Sequence, residues 1–197
     1  MIKNLNILLL LLLSINCKAQ SPIINLSEDD GTIIQNSYIK DTNNDLNPFI
    51  GTYIYNDGNV YFKVVLKKIV MSYNQRYYED IIVGEMQYSI NGVDMFNSLN
   101  DIDTNFPNQA VQHSIGGNSI LLNHYKPLCN DCMPNEKRLR LMFDDNRAYG
   151  DVIIQRITVG GNNAIKFEPR TSLPTRSEND PIITRIIPNI TFIMIKQ

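Results

Sequence analysis

The chain has 197 residues, with 18 Lys plus Arg against 20 Asp plus Glu, and a formal charge of -2 at neutral pH. That balance excludes the strongly basic surface on which nucleic-acid or polybasic membrane binding depends, and a hydrophobic content of 43% excludes wholesale disorder. The 28 Ile and 25 Asn stand against only 4 Ala, so the composition favours pleated strands joined by turns.

The opening segment reads as an export signal rather than as part of a domain. Lys3 supplies the positive start, residues 7–13 are an unbroken apolar run, and even residues 5–15 fall short of the roughly 20 residues that span a bilayer as a helix. Ser14-Ile15-Asn16-Cys17 then places Cys17 where a lipoprotein signal carries the residue to be acylated. The rival reading is plain secretion, with Cys17 and Ala19 as the small residues of a cleavage site before Gln20. Both export the chain, so disulfides are permitted. Residues 1–16 are therefore assigned to the signal peptide, 17–47 to a polar tether carrying Glu28-Asp29-Asp30 and Asp41-Thr42-Asn43-Asn44-Asp45, and 48–197 to one folded domain.

From Phe49 onward, apolar residues alternate with polar ones, the strand period. Residues 52–55 lead into Asn56-Asp57-Gly58, after which Phe62, Val64 and Leu66 alternate with Lys63 and Lys67, a hairpin with an Asp-Gly turn. The apolar phase shifts at Ile69 and Met71, which predicts a bulge near Lys67 and Lys68. Ile82, Met86, Tyr88 and Ile90 alternate up to Asn91-Gly92, the strongest hairpin signal in the chain. Further strands are expected around 119–124, across Leu139, Leu141 and Phe143, and at 152–159 and 164–168 about the Gly160-Gly161-Asn162-Asn163 turn. Two apolar runs end the chain, 182–187 and 190–195, separated by Pro188. The order predicts an all-β fold, an antiparallel up-and-down barrel or strongly curved sheet of about 8–10 strands. Phe62, Val64, Leu66, Met86 and Tyr88 are its expected inward, ligand-lining set.

Asn47-Pro48-Phe49-Ile50-Gly51-Thr52-Tyr53 resembles the F-x-G-x-W/Y segment that leads into the first strand of lipocalin-like barrels. The segments Cys17-Lys18-Ala19-Gln20, Lys40 to Leu46 leading into Phe49-x-Gly51-Thr52, Val65-Leu66-Lys67-Lys68, Tyr77-Tyr78-Glu79-Asp80 and Gly84-Glu85 resemble a family of exported, lipoprotein-like flavobacterial proteins of unknown function. That resemblance implies export and a β fold, and carries no catalytic residues.

Candidate chemistry is sparse. His113, His124, Cys129 and Cys132 offer the four N and S ligands of a zinc site, but in an exported chain Cys129-Asn130-Asp131-Cys132 reads first as a short disulfide. Asp41-x-Asn43-x-Asp45-x-Asn47 has the alternating oxygens of a calcium loop, yet Leu46 and Thr52 stand where Gly and a bidentate Glu belong; a capped turn is the simpler reading. Glu79-Asp80 and Asp144-Asp145 are expected in solvated turns, and Lys137, Arg138 and Arg140 on the wet face of a strand. No metal or cofactor is expected. The leading function is an envelope-anchored extracytoplasmic binding or interaction module in the outer membrane. Its expected partners are the membrane through the N-terminal lipid, and a small apolar or amphipathic ligand or an envelope protein. The alternative is a secreted enzyme whose site is built from dispersed carboxylates and tyrosines.

Overall fold

The structure is a computed structural model and describes residues 22–171 and 185–197. The segment expected to be an export signal and Cys17 lie outside the described residues, as do residues 182–184 of the first C-terminal apolar run. Among the described residues there are eleven strands: β1 Ile23–Asn25, β2 Tyr38–Lys40, β3 Gly51–Asn56, β4 Val60–Tyr73, β5 Tyr78–Ile90, β6 Val93–Asn97, β7 Ile115–Leu121, β8 Arg138–Asp144, β9 Tyr149–Val159, β10 Asn162–Thr171 and β11 Phe192–Lys196. Eight of them, β3, β4, β5, β7, β8, β9, β10 and β11, pair in that order, each antiparallel to the next, and β11 closes on β3 through Ile195↔Ile54 and Lys196↔Tyr53. The result is a closed, lipocalin-like up-and-down barrel; closure leaves no free edge in the wall.

The long β5 carries three neighbours on its second edge. Parallel β2 pairs with Tyr78 and Glu79, β7 with residues 82–84, and β6 with residues 87–90. Thus β6 belongs to a hairpin beside the wall, not to the barrel. Its turn is the expected Asn91-Gly92, whose φ angles of 51° and 78° match the mirror-image turn that suits strand twist.

Several expectations shift. The β4 bulge falls between Ile69 and Ser72, with Met71 at φ 57°, rather than at the two lysines. Alternation continues through Lys68, which pairs opposite the inward Ile82 and finds the Asp41 carboxylate at 2.7 Å. Residues 22–47 are not a free spacer: β1 pairs with β2, β2 with β5, and Leu26, Tyr38, Ile39 and Leu46 are buried. Parallel strands of three residues show no alternation long enough to read. Residues 185–190 form no strand, although Ile187 is fully buried.

The inward faces meet in one core. Phe62 stands at its centre, with ring centroids 4.9 Å from Phe192, 5.4 Å from Phe167 and 5.6 Å from Tyr88, all edge-on, the geometry aromatic rings prefer. Val64, Leu66, Met86, Ile154 and Met194 fill the space around them.

Candidate functional site

The barrel has two ends. One, here the proximal end, gathers the start of β3, the β4–β5 and β9–β10 hairpins, the end of β11 and the N-terminal elements; the distal end holds the opposite turns. At the proximal end the one-turn 3-10 helix Asn47–Phe49 folds under the barrel. Asp41 anchors it by accepting the backbone N–H groups of Asp45 (2.7 Å) and Leu46 (3.1 Å), which realises the capped-turn reading of the Asp41 to Asn47 motif. The oxygens of that motif serve two ammonium groups: Lys68 donates to Asp41 and Asn47 at 2.7 and 3.2 Å, and Lys137 to Asp45 at 2.6 Å.

The F-x-G-x-Y segment acquires a physical meaning here. Phe49 is buried as a plug, and the Tyr53 hydroxyl donates to the Phe49 carbonyl at 2.9 Å. Gly51 has φ 147°, and a Cβ there would meet Lys196 Cε at 2.5 Å; glycine makes room for the lysine stem to cross the strand. Lys196 Nζ lies 5.8 Å from the centre of the Tyr53 ring, and the Arg156 guanidinium lies 5.5 Å from that of Phe49, within cation–π range. Burial pushes the Tyr53 phenol up to about 12, with Arg156 pulling it partly back, so the hydroxyl stays a neutral donor.

Arg156, Lys196, Tyr53, Thr158, Asn163 and Pro48 line a cleft of about 470 Å³ in this mouth. Among the described residues, no carboxylate lies within ion-pair distance of Arg156 or Lys196, a condition shared with Lys40, Lys63, Arg76, Lys126, Arg138, Arg147 and Arg185, while Lys67, Lys68, Lys137, Arg140, Lys166 and Arg170 each have one. The mouth therefore presents two positive charges over an aromatic floor, with Thr158 and Asn163 as hydrogen-bonding groups. Sequence reasoning missed it, though the signal was present: the inward phase Val152, Ile154 extends to Arg156 and Thr158, and Phe192, Met194 to Lys196.

The expected ligand-lining residues are all inside the barrel, but they fill it. Phe62, Val64 and Met86 are 0% exposed, Leu66 1% and Tyr88 3%, and they pack against one another instead of walling a void.

The remaining clusters are structural. Cys129 and Cys132 form a disulfide with Cα atoms 5.5 Å apart. His124 lies against Tyr125, and His113 is buried elsewhere, against Glu85, so the four zinc-type ligands do not assemble. Glu85, on the outer side of β5, meets His113 Nδ1 at 2.7 Å and Ser114 Oγ at 2.6 Å; His113 Nε2 meets Gln109 Oε1 at 2.7 Å. This is not a nucleophile triad, because the serine bonds the acid and not the imidazole. Burial opposes the Glu85 charge, but hydrogen bonds from His113, Ser114 and Ser98 outweigh it and hold the carboxyl below its ordinary range.

Parts of three charged motifs lie buried, whereas Lys137 and Arg140 keep the solvent contact expected of them. Glu79 and Asp80 are buried on opposite faces of β5. Burial raises the Glu79 carboxyl against the hydrogen bonds of Asn74 and Asn118. Asp80 accepts from the Tyr38 hydroxyl (2.6 Å) and from the backbone N–H groups of Asp41 and Met71. Asp145 is fully buried and accepts the N–H groups of Arg147, Ala148, Ile186 and Ile187, tying the end of the β10–β11 connection to the β8–β9 turn. Arg138 is 3% exposed and donates to the Pro127 carbonyl. Asp80, Asp145 and Arg138 serve backbone groups that the irregular connections would otherwise leave unpaired, while Glu79 accepts from the side-chain amides of Asn74 and Asn118.

Fold and site together define a closed eight-strand antiparallel barrel with a packed interior and a cationic mouth. No curated protein and no solved structure matches the chain. It belongs to the family of unknown function DUF6705, whose model matches residues 1–197.

Proposed function

We propose that the protein is an extracytoplasmic lipoprotein, acylated at Cys17 and held in the outer membrane, that acts as a binding module for a compact amphipathic anion at the proximal mouth. The observation that carries this reading is the pair of cations, Arg156 and Lys196, set over Phe49 and Tyr53 without a carboxylate partner. A carboxylate or phosphate supplies the missing charge, and Pro48 and Ile157 of the cleft lining receive a short apolar part. The filled core favours the mouth over a lipocalin-type inner chamber, because a drug-sized ligand needs roughly 300 Å³ or more of concave space.

Isothermal titration with octanoate, octyl phosphate and octyltrimethylammonium tests this reading. The two anions bind, the cation does not, and Arg156→Ala with Lys196→Ala lowers anion affinity at least tenfold. Equal binding of the cation, or anion binding unchanged in the double variant, refutes the mouth as the site. Fatty-acid labelling of the wild type but not of Cys17→Ser tests the anchor separately; an unlabelled mature chain starting at Gln20 assigns simple secretion.

A further inference from the structure

Six large apolar side chains crowd the proximal rim on the side of β1, β2 and the β4–β5 hairpin: Ile23 (63% exposed), Ile33 (55%), Ile34 (44%), Val70 (63%), Met71 (53%) and Tyr73 (44%). Strand register brings Ile23 and Tyr73 into one row, and Val70 and Met71 lie in the β4 bulge just before Tyr73. Ile23, Tyr38, Tyr78 and Tyr73 lie in one row across β1, β2, β5 and β4. Ile34 is held beside that row, its carbonyl accepting from Ser37 while Asn36 N–H donates to the Arg76 carbonyl at 2.8 Å. A contiguous apolar rim of this kind on a soluble domain marks a contact surface.

The chain's own anchor selects the occupant. Pro22 follows Cys17 by five positions, and its carbonyl accepts from Tyr38 and so fixes it at the edge of β2. Five residues reach at most about 18 Å. The 13-residue β5 runs on the order of 43 Å from the proximal to the distal end, so a lipid on Cys17 cannot let the distal end face the bilayer. We infer that the proximal rim formed by Ile23, Ile33, Ile34, Val70, Met71 and Tyr73 lies in the bilayer interface, so that the barrel sits on the membrane rather than standing off it. This inference rests on the proposed acylation of Cys17.

The chain has no Trp, so one introduced indole reports without background. Val70 and Val93 are equally exposed, at 63%, on opposite ends of the barrel. Full-length, acylated Val70→Trp and Val93→Trp are reconstituted in phosphatidylcholine/phosphatidylglycerol vesicles with or without brominated acyl chains. The Val70→Trp emission shifts to the blue and is quenched at least twofold by bromine, whereas that of Val93→Trp is unchanged. Ile33→Trp carries the same test where Val70→Trp does not fold. Fatty-acid-labelled protein whose proximal indole is not quenched overturns the inference, and this is also the result expected if a protein partner or a second copy covers the face. Equal quenching at both ends overturns it as well. Unlabelled protein whose proximal indole is still quenched removes the anchor reading while leaving the membrane-facing rim in place.

Discussion

Gly51→Ala tests the mouth through its floor. At φ 147° a side chain is strained whatever the space around it, and residues forced into such glycine-only backbone cost on the order of 1–3 kcal/mol. The added methyl also meets Lys196 Cε at 2.5 Å. That atom is near the free end of a flexible side chain, so the lysine yields and leaves the Tyr53 ring without unfolding the strand. The two effects separate in a double-mutant cycle. Gly51→Ala alone lowers the melting temperature by about 2–4 °C for each kcal/mol, or roughly 2–12 °C in all, and weakens octanoate binding. In a Lys196→Ala background the backbone cost remains, but the further loss of affinity disappears because the lysine has already gone. Thermal unfolding and titration calorimetry on the four proteins read both quantities. An unchanged melting temperature refutes the strained backbone, and equal affinity losses in the two backgrounds refute the placement of Lys196 over Gly51.

Two carboxylates of β5 have opposite pH signatures. Glu85, held below its ordinary range, stabilises the fold above that range and loses its contribution as pH falls through the depressed value; Glu85→Gln therefore costs about 2–3 kcal/mol near neutrality and progressively less in acid, as urea titrations from pH 7 to pH 3 show. Glu79, raised by burial, works the other way: its protonated form suits the fold, that advantage is lost as pH rises through the raised value, and Glu79→Gln is better tolerated at pH 7 than at pH 4 relative to wild type. Replacing Cys129 and Cys132 by Ser opens a very short loop and costs on the order of 1–2 kcal/mol without abolishing the strand spectrum. Val64→Trp overpacks the core by about 1–3 kcal/mol and leaves octanoate affinity at the mouth unchanged.

Most of the wall is legible in the sequence because alternation reports it directly. Phe62 to Leu66, Leu139 to Phe143 and the strands about Gly160-Gly161 lie in the phase their residues announce. Closure is less visible, since β11 is five residues long and meets β3 through two register pairs. The packing of residues 22–47 is hidden for a different reason: Asp41 and Asp80 are polar letters, and only the fold shows that they bind backbone N–H groups beneath the barrel. The pairing of Glu85 with His113, which the sequence offers as a zinc-type ligand, is likewise hidden, because it depends on the connection from β6 to β7 crossing β5. Arg156 and Lys196 were legible in principle. A cation at the end of an apolar phase looks like the strand leaving the core, when here it still faces the axis.

The packed interior decides what kind of binding this barrel supports. Opening a chamber of about 300 Å³ among Phe62, Phe167, Phe192 and Tyr88 would create cavity at about 24 cal/mol per Å³, or roughly 7 kcal/mol. A domain of this size has a total stability of only about 5–15 kcal/mol, so an internal ligand would have to supply most of the fold's own margin before binding at all. The mouth requires no such opening. Its cleft already exists, its floor is fixed by Tyr53 and Phe49, and its two cations are held over those rings without a competing carboxylate among the described residues. A preformed site binds without first reorganising the protein. The same wall that keeps long apolar ligands out therefore leaves charge and a small apolar contact at the rim as the means of recognition, which is why the ligand class proposed is a compact anion and not a long-chain lipid enclosed in the barrel.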